Sequence, residues 1–364
     1  MLDFDAWAKM PFHFYSLMFF VLGSMVGSFL NVCIYRMPLG LSVVKPASHC
    51  PSCNTPIRWY HNLPLISWLS LRGRCAYCGA SFSARYFLVE LLTACVFLCC
   101  WLVHGPYSAA VALMYALFLS GLIAATFIDH EHMIIPDEIT LGGIGVGFLG
   151  AFVVPEMHHV KDSLAAAQQA FWGALAGGGV IYLFLRIGKM MLGRQKVVIP
   201  PGTRVYFGES TLLLPGEEIP YDYLFYRPDD VIELQATRVE LPDRCLWNQR
   251  VRVDKERVRL GDAELSFAEV PCMEVETELI LLPREAMGLG DAKFMGAIGA
   301  FLGWGGALFS LMASALVGSV VGVTLIALKK RDRSSPMPYG PYLAGAAAVW
   351  TFFGDKILKA WLGP

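Results

Sequence analysis

The sequence predicts an all-α polytopic membrane protein of about eight transmembrane helices, interrupted by a polar four-cysteine loop and a small inserted β-rich soluble domain. Three observations carry this. The 364-residue chain is 55% hydrophobic and 16% charged, against about 25% charged residues in a soluble domain. Its apolar residues fall into blocks near the roughly 20 residues needed to cross a bilayer. Its charges, by contrast, gather in a few places, and roughly half of them lie at 194–284.

The apolar blocks fall near 12–35, 86–104, 107–128, 138–155, 168–188, 304–328 and 340–360, with a shorter eighth piece at 291–302 that ends at Gly303-Trp-Gly-Gly306. The first block exceeds the roughly 7 to 15 apolar residues of a signal peptide, and Asp3 and Asp5 outnumber Lys9 before it, so it reads as a retained first span. The pairs Gly23/Gly27, Gly173/Gly177 and Gly318/Gly322 have the spacing that lets helices approach closely in lipid.

Five regions follow: a first transmembrane segment (1–36), the cysteine loop (37–85), helices carrying an acidic motif (86–193), the insertion (194–284) and a C-terminal helical region (285–364). Arg36, Lys45, Arg58, Arg72, Arg74 and Arg85 occur with no acid between them, and Lys329, Lys330, Arg331 and Arg333 form a second basic loop. Basic loops mark the cytoplasmic side. Alternating eight spans from an outside N-terminus puts both loops inside, together with Phe127–Asp137 and Gly288–Asp291. The net charge of -1 gives no electrostatic case for a nucleic-acid partner; the partner that composition does imply is membrane lipid.

Within the insertion, turn signals such as Pro200-Pro-Gly202 and Arg227-Pro-Asp-Asp230 separate short alternating runs at 231–236, 250–253 and 274–280, which read as strands. No nucleophile, metal or phosphate motif lies in it.

Two groups of residues carry chemistry. Cys50-Pro-Ser-Cys53 and Cys75-Ala-Tyr-Cys78 repeat C-x-x-C at a separation close to that of zinc sites. Four thiolates complete a tetrahedral shell with no open position, so zinc there is structural. Two disulfides conflict with a reducing cytoplasmic face, a redox C-x-x-C lacks its βαβ unit, and iron remains a second metal for the same ligands.

The second group is acidic. Asp129, in Phe127-Ile-Asp-His-Glu-His, and Asp291, in Gly288-Leu-Gly-Asp, stand at the ends of apolar segments, where ionisable groups are costly and tend to be functional. Two carboxylates sharing a proton can activate water and polarise a peptide carbonyl. Glycines 288 and 290 leave room for an extended backbone beside Asp291. Asp137 and Glu131 are the next candidates, while His130 and His132 read as supporting or surface groups. From the residues alone, a catalytic pair, a helix cap at Asp291 with an interfacial anchor at Asp129, and a proton pathway all stay open.

The chain resembles the prepilin peptidases, the type IV leader peptidase and N-methyltransferase family of GxGD aspartic membrane proteases. The resemblance runs through Gly27-Ser-Phe-Leu-Asn-Val-Cys, His49-Cys-Pro-Ser-Cys53, Asn62-Leu-Pro-Leu-Ile-Ser-Trp-Leu69, Arg72-Gly-Arg-Cys-Ala-Tyr-Cys78 and Arg85-Tyr-Phe-Leu-Val-Glu-Leu-Leu-Thr93. It continues through Phe127-Ile-Asp129, Ile135-Pro-Asp137, Gly288-Leu-Gly-Asp-Ala-Lys293 and Pro338-Tyr-Gly-Pro-Tyr-Leu-Ala344. It implies a multi-pass protein of the bacterial inner membrane that removes the leader from prepilins or pseudopilins at the cytoplasmic face. The catalytic residues it implies are Asp129 and Asp291, with Cys50, Cys53, Cys75 and Cys78 as the metal ligands. It also implies N-methylation of the new N-terminus with S-adenosylmethionine, whose binding residues no motif locates. Rival readings are a carboxylate-dependent transporter and a non-enzymatic assembly factor. Glu131 stands where the family often has Asp, and the insertion interrupts what is usually a short connection.

Overall fold

The computed structural model describes residues 12–192, 194–208, 210–215, 217–221, 224–225, 230–261, 263–266, 272–283, 288–330 and 337–362. The acidic N-terminal stretch and Arg331 and Arg333 of the second basic loop lie outside them. The chain divides into two compact units, one formed by residues 1–182 with 288–364 and the other by 183–287.

The first unit is helical: α1 (Phe12–Arg36), the short α2 (Ile66–Ser70), α3 (Ala84–His104), α4 (Ala109–His132), α5 (Asp137–Val153), α6 (Ser163–Leu192, its last residues passing into the second unit), α7 (Leu289–Ala327) and α8 (Gly340–Leu362). Local chemistry sets the boundaries. Ser83 and Ser108 cap α3 and α4 by accepting the backbone N–H of Arg85 and Val111. α5 starts directly after Pro136 with Asp137 and Glu138 in its first turn, where negative charge suits the helix dipole.

Among the described residues, five helical segments are long and apolar enough to cross a membrane: His13–Leu39, Ala84–His104, Ala109–His132, Ser163–Ile187 and Leu289–Ala327. α5 has only 17 residues, and α8 carries Asp355, Lys356 and Lys359. α7 consists of two limbs that meet at Gly303, whose φ of 69° and ψ of 179° are non-helical. The chain folds back there, since a β-carbon on Gly177 would lie 2.4 Å from the Met295 carbonyl oxygen and 3.3 Å from the Ala307 Cβ; the short segment anticipated at 291–302 is thus a helix of its own, with the anticipated turn after it.

Small residues govern the closest crossings. A β-carbon on Gly173 would lie 2.1 Å from the Gly299 carbonyl oxygen, and one on Gly27 would lie 2.7 Å from the Glu90 Cα. Backbones this near leave room only for hydrogen. Leu30 and Ile34 of α1, Val89 of α3 and Ile123, Ala124 and Ile128 of α4 form one buried cluster. Through Ile128 it fixes the rotation of α4 one residue before Asp129.

The second unit contains ten antiparallel strands, β1 (Arg194–Val198), β2 (Arg204–Phe207), β3 (Thr211–Leu214), β4 (Glu217–Pro220), β5 (Ile232–Glu240), β6 (Cys245–Val253), β7 (Arg257–Leu260), β8 (Ala263–Ser266), β9 (Met273–Glu276) and β10 (Leu279–Pro283), among the described residues. Their order is β4-β3-β2-β9-β5-β6-β7-β8, with β10 pairing both β5 and β1. Arg-Val-Tyr-Phe in β2 and Arg-Val-Arg-Leu in β7 alternate exposed and buried, as a half-buried pleated strand must. Phe207, Ile232, Val251, Val258, Val275 and Ile280 belong to its core.

The run at 274–280 is two strands, not one. Thr277 interrupts it: its hydroxyl donates to the Gln235 carbonyl and takes the Leu279 N–H, so β9 and β10 occupy successive stretches of the same β5 edge.

Candidate active site and metal centre

The acidic motif is helical further than its sequence suggests. α4 continues through Asp129 to His132 and stops at Met133, whose φ of 56° is left-handed. Asp129 thus projects from the last turns of a helix. It is 5% exposed, and its Oδ2 accepts the Gly340 N–H at 2.8 Å. A β-carbon at position 340 would fall 2.8 Å from that oxygen, so only glycine lets the start of α8 close over the carboxylate.

Asp291 comes from the other end of the unit. It is the third residue of α7, its backbone N–H donates to the Gly288 carbonyl at 3.2 Å, and its carboxylate lies within electrostatic reach of Asp129. Gly290 packs on Ile135, with a β-carbon position 3.6 Å from the Ile135 Cβ, and Lys293 Nζ binds both oxygens of Asp137 at 2.7 and 2.9 Å. These contacts join 127–137 to 288–293 across more than 150 residues.

The competing carboxylates are engaged elsewhere. Asp137 is neutralised by Lys293, and Glu131 is ion-paired with Arg85 at the start of α3. That second pair places the end of the cysteine loop beside the end of α4. Tyr339 is a component that sequence reasoning missed. Its hydroxyl lies 3.1 Å from the Ser314 hydroxyl, it is within electrostatic reach of Asp291, and burial pushes its phenol up, keeping the proton in place. Its signal was Pro338-Tyr-Gly-Pro-Tyr, a glycine between prolines at the mouth of an apolar segment.

The cysteine loop forms two matching turns. Asn54 N–H donates to the Cys50 carbonyl at 2.8 Å and Gly79 N–H to the Cys75 carbonyl at 3.0 Å. Both donors are left-handed, with φ of 53° and 71°. Cys50 and Cys75 then donate to the Thr55 and Ala80 carbonyls. The result brings ligand atoms of Cys50, Cys53, Cys75 and Cys78 within 4.8 Å of one another, with 3.8 Å between the sulfurs of Cys50 and Cys78. A tetrahedron with metal–sulfur bonds of about 2.3 Å has edges of about 3.8 Å, so the donor set fits a metal such as zinc. Hydrogen bonding from Thr55 pulls the Cys53 thiol down to about 6. Cys78 takes a hydrogen bond from Ala80, yet burial and the neighbouring sulfurs push it up to about 11. The four thiolates therefore need a cation to coexist.

Comparison with known proteins matches residues 21–104 to the bacterial peptidase A24 N-terminal domain and residues 116–213 and 267–323 to the type IV leader peptidase family. The chain belongs to the type IV leader peptidase family. The gap in the second match falls inside the β-rich unit, while both aspartate motifs lie in matched segments. Relatives include a prepilin leader peptidase/N-methyltransferase of Aeromonas hydrophila, 28% identical over 97% of this chain and 95% of its own length. Proteins of the same name from Myxococcus xanthus and Dichelobacter nodosus are 44% and 41% identical over 43% and 47% of this chain, covering 46% and 66% of their own lengths. No solved structure matches. In this leader peptidase the motifs shared with the family converge on two places, the Asp129–Asp291 pair and the four-cysteine cluster.

Proposed function

We propose that this family member is an aspartic endopeptidase of the bacterial inner membrane that removes the leader from prepilins or pseudopilins at the cytoplasmic face, and that it N-methylates the residue so exposed. The observation that carries the peptidase reading is the nearness of Asp129 and Asp291, two carboxylates from helices distant in sequence. The names of its relatives supply the methyl-transfer reading.

In this reading one aspartate, ionised, takes a proton from water as the oxygen attacks the scissile carbonyl, while the other, protonated, donates to the carbonyl oxygen. The proton gained by the first then passes to the leaving amine. The Gly340 N–H fixes one oxygen of Asp129, and Tyr339 supplies a half-buried hydroxyl within electrostatic reach of Asp291. The glycines flanking Leu289 leave space for the substrate backbone. Zinc held by Cys50, Cys53, Cys75 and Cys78 closes the loop structurally and carries no step. Eight spans, counting α5, α8 and both limbs of α7, put the basic cysteine loop and both aspartates on one side; the Arg85–Glu131 pair supports that placement.

The test compares purified wild type, Asp129→Asn and Asp291→Asn on a prepilin bearing its leader, without an ion gradient. Each substitution is expected to reduce cleavage by about 100- to 10,000-fold with metal content intact. Cleavage near the wild-type rate in either variant overturns the pair.

A further inference from the structure

A cavity of about 410 Å³ lies away from the aspartates, bounded by the end of α1, the cysteine loop and the start of α3. Its volume is that of a small-molecule site, roughly 300 to 1,000 Å³. Among the described residues, three buried side-chain atoms that lack a hydrogen-bond partner, Asn31 Oδ1, His61 Nδ1 and Trp68 Nε1, belong to residues lining this cavity. Buried polar atoms are normally satisfied, so such a concentration points to a missing ligand.

The charges lining the cavity narrow its chemistry. Glu90, 9% exposed, accepts the Leu65 N–H at 2.7 Å but has no ion-pair partner among the described residues, and a buried charge calls for an opposite one. Arg36 and Arg74 line the same cavity. Arg36 spends one guanidinium nitrogen on the Ser42 carbonyl, leaving further donors. The Trp68 indole adds an aromatic surface of the kind that holds onium cations. A ligand suited to this wall carries a cationic centre, a carboxylate and a heteroaromatic ring with hydrogen-bonding edges.

We infer that this cavity binds the methyl donor, an amino-acid-bearing nucleoside sulfonium of the S-adenosylmethionine type, with Glu90 countering its positive charge and Asn31, His61 and Trp68 satisfied by its polar groups. The inference rests on the methyl-transfer half of the proposed function. A sulfonium held there would supply the methyl: the N–C bond would form from the amine lone pair as the S–C bond broke with its electrons going to sulfur, and the amine proton would leave to water. The cavity also gives the metal loop a purpose. His49 and Arg74, each next to a cysteine of the cluster, are part of its wall.

The full-length protein is incubated with radiolabelled S-adenosylmethionine, and affinity is measured for wild type, Trp68→Phe and Asn31→Leu, with metal content verifying the fold. Each variant is expected to bind about five- to tenfold more weakly. Ultraviolet cross-linking of the donor to wild type is expected to label peptides from 28–90. Unchanged affinity in both variants, or label mapping to the Asp129 region or to 194–284, overturns the site. So does a rise in prepilin KM with donor affinity unchanged, which would make the cavity a leader-binding surface. If a variant loses its metal, the cross-linking map decides. A wild type that cleaves leaders yet neither binds the donor nor methylates refutes the methyl-transfer reading itself, leaving the peptidase intact.

Discussion

Four acidic side chains stand near the ends of α4 and α7, and their partners separate them into two kinds. Asp137 and Glu131 have cationic partners, Lys293 and Arg85. Asp129 has a backbone amide, and Asp291 has a second carboxylate within electrostatic reach. A carboxylate turned to a cationic partner has no second acid beside it with which to share a proton, whereas two neighbouring acids can share one. Asp137→Asn and Glu131→Gln are therefore expected to lower cleavage by less than about tenfold, far from the loss of about 100-fold or more at a general acid or base. A loss of that larger size at Asp137 in the same assay would move the reaction onto the wrong carboxylate. Gly340→Ala is the complementary change. Its methyl would meet Asp129 Oδ2 at 2.8 Å, so cleavage should fall while the distant cysteine cluster keeps its metal.

At the scale of elements, the helices depend on glycine crossings and the loop on its cysteines. Replacing Gly299 with leucine forces a side chain into the α6 backbone, where even a β-carbon would lie 2.0 Å from the Gly173 carbonyl oxygen. Overpacking costs about 1–3 kcal/mol or more, which thermal unfolding in detergent should register as a lowered midpoint. Cys53→Ser removes one of four ligands, and it should abolish stoichiometric metal binding and make the loop susceptible to trypsin at Arg58, Arg72 and Arg74. Much of this level was legible beforehand. Gly303-Trp-Gly-Gly306 marked the turn between the two limbs of α7, and the cysteine spacing marked a cluster whose sulfurs do converge. Contacts made only through packing were not legible. Nothing local to Pro338-Tyr-Gly-Pro says that Gly340 will donate to a residue 211 positions away. The three unsatisfied atoms around the cavity come from α1, the loop and α2, and only the folded chain brings them to one wall. The split of β9 from β10 hangs on one threonine hydroxyl bonded to a strand 42 residues earlier.

For the whole molecule, the central question is what the β-rich unit contributes to the chemistry. Both aspartates, all four cysteines of the cluster and the cavity belong to the helical unit, while residues 183–287 form a separate compact unit with its own buried core. The ends of the insertion meet each other. β1 and β10 pair antiparallel with Arg194 opposite Pro283 and Val198 opposite Leu279, and residues paired in such a ladder have α-carbons only about 4.5–5.5 Å apart. A short flexible linker can therefore span the gap left by removing 194–284, since closing a loop of a few residues costs little compared with closing a long one. The shortened protein is expected to remain membrane-inserted, to keep its metal and to cleave a prepilin leader within about tenfold of the wild-type kcat, because tenfold corresponds to only about 1.4 kcal/mol. An effect confined to KM, with kcat retained, would give the insertion a part in gathering substrate. A collapse of kcat with metal and thermal midpoint preserved would mean that the β-rich unit takes part in forming the active site.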